Sequence, residues 1–373
     1  MYESISEDLK LENLDEIREQ INQIDDQMVK LFEERMKAAE KVAEYKKERS
    51  LPIKDEAREK IVIEKGCAKI QNEELKPYYV DFQKSVMDIS CAYQNKLMNG
   101  MKVGYSGVPG AYAYIAAKRL FPEAELVSFS NFEPAFAAAE KGEVDCVVLP
   151  LENSYAGEVG NVMDLMYSGN LYVNRVASFD IEQNLLALPG AQIGQIKTVV
   201  SHPQALAQCD AYIKEHGFTA MEYSNTARAA AFVKEQNDPS IAAIGSEEAA
   251  QLFGLEVLER KIHSTRNNSS RFGVFSRVKS LPPENERNDN CNFILMFTVP
   301  NEAGSLAITL DIIGSHGFNM RNLKSRPMKG LMWQYYFYVE AEGNIAGEDG
   351  QNMLQEIGAV CGQLKLAGTF LNE

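Results

Sequence analysis

The sequence lacks any apolar run of the roughly 20 residues that a membrane-spanning helix requires. Its first residues, MYESISEDLK, also lack the basic and apolar segments of a secretory signal peptide. Six cysteines are spread along the chain with no CxxC pair, which is typical of reduced thiols rather than of a disulfide framework. We therefore expect a cytoplasmic protein that does not act at a membrane.

Histidine is scarce, and basic residues are outnumbered by acidic ones. The four histidines are scattered, so no metal site is predicted. With 53 acidic against 38 basic residues, the formal net charge is −15, which disfavours nucleic acid and anionic membranes as partners. If the substrates are anions, the basic side chains that bind them must be concentrated locally.

The length of 373 residues suggests two or three domains. Changes in periodicity predict an all-helical domain over 1–98 and an α/β domain over 101–280. A Pro-rich, charged linker over 281–290 follows. The remainder, 291–373, reads as strand, helix, strand, strand, helix, strand, which is the ferredoxin-like order.

Apolar spacing in the first helix predicts a coiled-coil seam. Its residues, at intervals of three and four, are Leu14, Ile17, Ile21, Ile24, Met28 and Leu31. Arg35 takes the next seam position, and Lys46 lies about 20° around the helix and about 16 Å along it. These two long cations can converge on one anion. Arg18 lies about 25 Å from Arg35, so it can join that site only from another subunit, which requires a dimer.

Further polar residues on the predicted helices complete a set. Ser90 and Gln94 lie four residues apart, on one face of the third helix. As a set, residues 8–98 resemble the all-helical chorismate mutase family. The segments that carry the resemblance are Ile17-Arg18-Glu19, Glu34-Arg35, Val42 to Lys46, Asp55-x-x-Arg58-Glu59 and Ser90-x-x-x-Gln94.

This resemblance implies a three-helix protomer in an intertwined dimer, with Arg18 crossing between subunits. Rearrangement of chorismate needs no nucleophile and no proton transfer. It needs a compact substrate conformer and donors near the ether oxygen, where negative charge develops. The implied residues are Lys46 and Gln94 at that oxygen, Arg18, Arg35 and Arg58 at the carboxylates, and Glu59 and Ser90 at the hydroxyl.

Between residues 102 and 278, short β-rich runs alternate with helices, which predicts an α/β fold with mostly parallel sheets. Residues 128–154 and 222–249 each read as strand, Ser-Asn, alanine-rich helix and strand. This weak repeat predicts two similar lobes with a cleft between them, an architecture like that of periplasmic binding proteins. The glycine-rich turn at 104–110 is neither GxGxxG nor a Walker motif, so no cofactor is expected. Such a turn can still hold a carboxylate.

Polar turns of this region closely resemble those of prephenate dehydratase, in the same order. They are Val103 to Gly110, Pro150-Leu151-Glu152-Asn153-Ser154, Ser201-His202-Pro203-Gln204-Ala205-Leu206-x-Gln208-Cys209, and Ser270-Arg271-Phe272. The family usually has Thr-Arg-Phe in the last motif, so Ser270 keeps the hydroxyl and loses a methyl group. Thr265-Arg266 is a second candidate, although no Phe follows it.

The resemblance implies that prephenate loses water and carbon dioxide in the cleft, driven by aromatisation. Ser270 would assist departure of the ring hydroxyl as an acid or hydrogen-bond donor. The positioning residues implied are Glu152, Asn153, Ser201 and Gln208. His202 could be an acid, but it is better suited to setting the turn before Pro203.

The C-terminal region has no cluster of acids, bases or nucleophiles, and it resembles an ACT domain, an amino-acid-sensing module. The motifs are Asn301 to Leu306 and Ser325-Arg326-Pro327. Lys324 and Ser305 stand where the family has Glu and Ala. The resemblance implies a phenylalanine site between paired copies of the domain. Its residues would be Ala303, Gly304, Ser305, Leu306, Ser325, Arg326 and Pro327.

Together these resemblances indicate a bifunctional chorismate mutase–prephenate dehydratase of phenylalanine biosynthesis, inhibited by phenylalanine and forming a dimer or tetramer. Two alternatives remain. An arogenate or broad cyclohexadienyl dehydratase would share the same motifs. A non-catalytic amino-acid sensor would share the two-lobed architecture, but it would have no use for cations clustered on the first helix.

Overall fold

The computed structural model describes residues 14–49, 51–155, 157–264, 268–282, 291–328 and 333–371. Two compact units form, Met1–Gly100 and Met101–Glu373. Thr265, Arg266 and most of the predicted linker lie outside the described residues. In the described part of the chain, no helix is both long enough and apolar enough to cross a membrane.

In its described residues the first unit forms three α-helices: α1 (Leu14–Glu48), α2 (Glu56–Cys67) and α3 (Lys76–Asn99). The prediction of an all-helical region is confirmed. Asp55 caps α2 by accepting a hydrogen bond from the Arg58 backbone N–H at 3.0 Å. The helix α3 ends at Gly100, whose φ of 79° favours glycine.

This helical unit buries very little of its apolar surface. Among its described residues, the buried apolar side chains are Ala39, Ala43 and Met87. The seam residues of α1 are instead exposed, from 38% at Ile17 to 62% at Leu31. A bundle with so small a core is not expected to be stable alone, because apolar burial is the main favourable contribution to folding.

The second unit begins with a lobe built on a mixed sheet. Its elements are β1 (Lys102–Ser106), α4 (Tyr112–Leu120), β2 (Glu125–Phe129), α5 (Phe132–Lys141), β3 (Cys146–Asn153), β4 (Gly157–Glu158), α6 (Gly160–Ser168) and β5 (Tyr172–Asp180). After the second lobe, the chain returns to this sheet as β11 (Ser269–Ser276). The strand order is then β5-β11-β3-β1-β2.

The second lobe repeats this plan. Its elements are β6 (Asn184–Ala187), β7 (Thr198–Ser201), α7 (Pro203–Gln208), α8 (Asp210–Glu215), β8 (Thr219–Glu222), α9 (Thr226–Gln236), β9 (Ile241–Gly245), α10 (Glu247–Phe253) and β10 (Glu256–Glu259). The sheet order is β10-β6-β9-β7-β8. In each lobe three parallel strands have two further strands beside them, both on the same side of the sheet. The two similar lobes expected from the repeat are therefore observed.

The expectation of mostly parallel sheets was wrong. Strands β1 and β7 pair in parallel with both neighbours, but β11 and β6 pair antiparallel with theirs. These two strands follow the passages of the chain from one lobe to the other, and they enter each sheet in the reverse direction. The helical segment that follows β7 is divided at Cys209 into α7 and α8.

The C-terminal region has the predicted βαββαβ order. Its elements are β12 (Cys291–Thr298), α11 (Ser305–Ser315), β13 (Asn319–Pro327), β14 (Tyr335–Glu342), α12 (Glu348–Val360) and β15 (Gln363–Leu371). The strands are ordered β13-β14-β12-β15, with all neighbouring pairs antiparallel.

This C-terminal sheet continues into the sheet of the first lobe. Strand β15 pairs in parallel with β5 where Gly368 lies beside Val173. A Cβ atom at position 368 would lie 2.3 Å from the Val173 carbonyl oxygen, so the close approach requires glycine. Tyr336 and Phe370 share a hydrophobic core with the first lobe. Residues on both sides of the predicted linker therefore belong to one compact unit.

Candidate active sites

A pocket of about 450 Å³ lies between the three helices of the first unit. Its wall includes six of the seven side chains that the sequence assigned to the mutase site, namely Arg35, Lys46, Arg58, Glu59, Ser90 and Gln94. The seventh, Arg18, is not part of this wall. Its side chain is 66% exposed, and Nη1 lies 3.6 Å from Asp15 Oδ1.

Hydrogen bonds hold several polar groups of this helical pocket in place. Arg35 Nη1 donates to Ser90 Oγ and to the Val86 carbonyl. Lys46 Nζ donates to the Ile53 carbonyl at 2.5 Å. Gln94 is 93% buried, and its Oε1 has no hydrogen-bond partner among the described residues. The remaining wall is largely apolar, so donors for an anion lie in surroundings that screen charge less than bulk water does.

A second cavity, of about 300 Å³, lies between the two lobes. Asn153, Ser270 and Phe272 line this interlobe cleft from the first lobe. His202, Gln204, Gln208, Asn225 and Thr226 line it from the second lobe. The start of α4, from Ala111 to Ala113, also reaches the cleft.

Asn153 and Ser270 meet in the interlobe cleft. They are cross-strand partners on β3 and β11, and Asn153 Nδ2 donates to Ser270 Oγ at 2.9 Å. Because Oγ accepts this bond, the hydroxyl hydrogen of Ser270 is available to donate to a ligand. Gln204 Nε2 donates to Asn153 Oδ1 at 3.3 Å and so connects the second lobe to this pair.

A chain of amides continues from Asn153 into the second lobe. Asn268 Nδ2 donates to the Ile181 carbonyl at 3.1 Å and to Gln208 Oε1 at 3.0 Å. Gln183 Nε2 donates to the same Gln208 oxygen at 3.2 Å. Because the Ile181 carbonyl can only accept, it fixes which end of the Asn268 amide is the donor. The Asn268 donor in turn orients the Gln208 amide, and the Gln208 oxygen orients the Gln183 amide.

Gln183 is a residue of this cleft that the sequence analysis missed. It is 97% buried, and its Oε1 has no hydrogen-bond partner in the described part of the chain. It lies between β5 and β6, where the chain passes from one lobe to the other. No sequence motif contains Gln183, and its side chain is marked only by its burial in the folded chain.

Two residues assigned to the cleft are not on its wall. Glu152 points to the opposite face of β3 from Asn153, as alternation along a strand requires, and it contacts Arg271 and Lys324. Ser201 is fully buried, and its Oγ donates to the Ile244 carbonyl at 2.6 Å. A direct contact of either side chain with substrate is therefore not supported by the geometry.

His202 acts as the cap of α7. Its Nδ1 accepts a hydrogen bond from the Gln204 backbone N–H at 3.2 Å, and Pro203 follows in the first turn. The structure thus places His202 at the turn, as expected, while its side chain also lines the cleft.

Both sites lie within regions that match known families. The prephenate dehydratase model matches residues 103–280, and the chorismate mutase type II model matches residues 17–95. A bifunctional chorismate mutase/prephenate dehydratase of Buchnera aphidicola is 31% identical over 371 residues, covering 95% of this chain and 96% of that protein. This chain belongs to the bifunctional chorismate mutase/prephenate dehydratase family. It is an enzyme with both activities.

Other relatives of the enzyme resemble its second unit. Arogenate dehydratase/prephenate dehydratase 2 of Arabidopsis thaliana is 32% identical, covering 72% of each chain. A prephenate dehydratase of Arthrobacter aurescens, solved in complex with L-Phe, has a TM-score of 0.67 at 26% identity, covering 73% of this chain and 90% of its own. A quorum-quenching acylase, GqqA, has the same TM-score at 28% identity, covering 73% of this chain and 98% of its own.

The residues assigned to an effector site occupy two elements of the enzyme's C-terminal region. Ala303 to Leu306 form the start of α11, where Gly304 has a φ of 90°. Ser325 to Pro327 end β13. Arg326 Nε donates to Asp164 Oδ1 at 3.0 Å, so its guanidinium contacts α6 of the first lobe.

Proposed function

We propose that the helical pocket rearranges chorismate to prephenate and that the interlobe cleft converts prephenate to phenylpyruvate, for phenylalanine biosynthesis. The observation that carries the second assignment is the hydrogen bond from Asn153 to Ser270 in the cleft wall. Measuring chorismate loss and phenylpyruvate formation with the purified enzyme tests both steps. Chorismate loss that stops at prephenate would contradict the assignment of the cleft alone.

In the helical pocket, the enzyme has to bind a dianion and stabilise a polar transition state. The ether C–O bond breaks as a new C–C bond forms, and no proton moves. Arg35 and Arg58 supply positive charge for the carboxylates. Lys46 and Gln94 supply donors for the ether oxygen. Among the described residues Gln94 Oε1 has no hydrogen-bond partner, so no bond to this oxygen competes with a substrate for the amide.

In the interlobe cleft, the ring carboxylate leaves as carbon dioxide and its bonding electrons enter the ring. The C–O bond to the ring hydroxyl breaks, and the departing oxygen takes a proton to leave as water. Ser270 donates its hydroxyl hydrogen to that oxygen and regains a proton from solvent. Asn153 orients Ser270 through the 2.9 Å bond to Oγ.

The remaining carboxylate of prephenate needs donors in the same cleft. The first turn of α4 supplies them, because Ala111 to Ala113 line the cleft and the helix has no side-chain N-cap. The first N–H groups of a helix have no partner within the helix, and together with the positive end of the helix dipole they favour an anion. This turn follows the glycine-rich segment, where Gly107 and Gly110 have φ of 98° and 86°.

The enzyme functions as a dimer through α1 in this proposal. The seam residues of α1 are exposed in the single chain, and few apolar residues of the unit are buried. A second copy of α1 would cover the seam. It would also bring its own Arg18 toward the pocket of the first chain, which the 17-residue separation from Arg35 prevents within one helix. Six free cysteines support a cytoplasmic location.

The C-terminal region is, in this proposal, an ACT-type module that binds phenylalanine and reduces dehydratase activity. The βαββαβ order and the sequence motifs at α11 and β13 support it, together with the L-Phe complex of the Arthrobacter aurescens relative. Dehydratase rates measured with and without added phenylalanine test it. An unchanged rate across millimolar phenylalanine would contradict it.

Arogenate is the alternative substrate of the cleft, since one relative carries both names. Arogenate has an ammonium group where prephenate has a keto group, and the motifs do not distinguish the two. We expect the larger kcat/KM for prephenate. A larger value for arogenate would reassign the substrate.

A further inference from the structure

An ion-pair cluster joins the first lobe to the C-terminal region, on the far side of β3 and β11 from the interlobe cleft. We call Glu152, Arg271, Lys324 and Glu340 the interface cluster. Arg271 Nη1 lies 2.8 Å from Glu152 Oε1, and Arg271 Nη2 lies 2.7 Å from Glu340 Oε1. Lys324 Nζ lies 2.9 Å from Glu152 Oε2. Two cations and two carboxylates therefore alternate across the boundary.

The interface cluster is shielded from solvent. The side chain of Glu340 is 3% exposed, and those of Arg271 and Lys324 are 24% and 17% exposed. Burial by itself would raise the pKa of Glu152, but the hydrogen bonds from Lys324 and Arg271 outweigh it and keep that pKa below its ordinary value. Removing one partner from such a cluster is costly, because the charge left behind is only partly hydrated.

The cluster is adjacent in sequence to the catalytic pair. Glu152 precedes Asn153 on β3, and Arg271 follows Ser270 on β11. Across the two strands, Asn153 is paired with Ser270 and Glu152 with Arg271. The register shifts directly after Arg271, and such bulges often lie beside active sites and direct side chains. A displacement of the cluster therefore moves the backbone that carries Asn153 and Ser270.

The charge at position 324 fits its surroundings. Lys324 Nζ also lies 3.9 Å from Glu158 Oε2, and Glu158 lines the interlobe cleft. A glutamate at position 324, as in the ACT domains that this region resembles, would face the carboxylates of Glu152 and Glu158. Lys324 thus compensates the negative charge of the first lobe from a strand of the C-terminal region.

We propose that Lys324 is a positioning residue for the dehydratase reaction, which holds Glu152 and thereby the hydrogen-bonded geometry of Asn153 and Ser270. Lys324 immediately precedes Ser325 to Pro327 on β13, so a change at that strand reaches the catalytic pair through Glu152. This inference rests on the proposed roles of Asn153 and Ser270 and adds the route from the C-terminal region to them.

The test compares three variants of Lys324 in the full-length enzyme. We expect Lys324→Met to lower the dehydratase kcat by about tenfold or more with a smaller change in the KM for prephenate, since small misplacements of catalytic groups can cost up to about 10²-fold. Lys324→Glu should lower kcat further, because it adds a carboxylate opposite Glu152. Lys324→Arg should restore most of the activity.

A matched control comes from the same strand. Arg321 on β13 forms an exposed ion pair with Glu342 inside the C-terminal region, so Arg321→Ala should leave the dehydratase kcat unchanged. In the double variant Lys324→Met/Glu152→Gln, the loss of kcat should be no larger than in the worse single variant. Both substitutions remove the same Lys324–Glu152 ion pair. Additive losses would overturn the proposal.

Thermal unfolding of each variant separates positioning from folding. A kcat for Lys324→Met equal to that of Arg321→Ala would overturn the inference while leaving the proposed function intact. If Lys324→Met lowers Tm strongly, kcat is measured well below the Tm of the variant. A turnover per folded molecule equal to that of the unmodified enzyme would then contradict a positioning role for Lys324. An unmodified enzyme without prephenate turnover would instead contradict the proposed function itself.

Discussion

Asn153 donates a hydrogen bond to the hydroxyl oxygen of Ser270 over 2.9 Å, from one strand of the first lobe to its cross-strand neighbour. Because Ser270 Oγ accepts in this bond, its hydrogen remains available to donate to a ligand. In our proposal, the Asn153 amide restricts the rotation of the Ser270 hydroxyl, which lacks the methyl group of the family's usual threonine.

Substitution of Ser270 tests this arrangement. We expect Ser270→Ala to reduce dehydratase turnover by about 10²-fold or more, as for loss of a positioned acid, while mutase turnover stays within twofold. Ser270→Thr should keep most of the activity because the hydroxyl remains. Steady-state rates with prephenate and with chorismate measure both effects. Full activity of Ser270→Ala would show that another group protonates the leaving hydroxyl.

Gln183 tests the amide chain. Gln183→Leu removes the donor to Gln208 and an Oε1 atom that has no hydrogen-bond partner among the described residues. We therefore expect dehydratase kcat/KM to fall by about tenfold, the effect of one or two lost hydrogen bonds. Gln236→Leu, at an exposed position at the end of α9, is the control. Equal kcat/KM in the two variants would remove Gln183 from the site.

Arg35 and Arg18 test whether mutase sites are shared between chains. Arg35→Ala and Arg18→Ala should each abolish mutase turnover and leave turnover of supplied prephenate intact. When the two inactive variants are unfolded, mixed and refolded together, mixed dimers should regain part of the mutase activity. A mixture that stays inactive, although mixed dimers are present, would place Arg18 outside the pocket.

The seam of α1 tests the dimer itself. Ile21 is 52% exposed in the single chain, so in a monomer a charged residue there would change stability by only about 0.5 kcal/mol. In the proposed dimer, Ile21→Asp should dissociate the subunits and abolish mutase activity. Light scattering coupled to size-exclusion chromatography measures the mass. Lys37→Glu, off the seam on the same helix, should remain dimeric.

Acid should weaken the second unit through Glu152. Because burial is outweighed by Lys324 and Arg271, the pKa of Glu152 in the folded chain lies below its ordinary value of 4.5. The stabilisation is therefore fully present above that ordinary value and is lost as pH falls through the lower, folded-state pKa. Denaturant unfolding at pH 7 and at pH 4 should show a smaller loss for Glu152→Gln than for the exposed control Glu302→Gln. Identical losses would contradict this role.

Much of the first site could be predicted from the sequence. Arg35 and Lys46 lie on one helix, where a spacing of 11 residues alone determines that both face the same side. The pocket then contains both side chains. Neighbours on α2 and α3 could be assigned only through the family resemblance, because no spacing relates residues on different helices.

The second site was less accessible to sequence reasoning. The motif containing Glu152 and Asn153 suggested that both serve the cleft, but consecutive residues of a strand point to opposite faces. Only Asn153 reaches the cleft, whereas Glu152 contacts the C-terminal region. Gln183 escaped notice because its importance comes from contacts with residues distant in sequence, Gln208 among them.

Sequence alone therefore determined the features that depend on local periodicity: the long first helix, the two similar lobes and the βαββαβ order. Tertiary structure decided which face of each strand meets which neighbour. It joined β15 to β5 at Gly368 and placed Lys324 against Glu152. These outcomes depend on packing between distant segments, which the pattern of neighbouring residues does not encode.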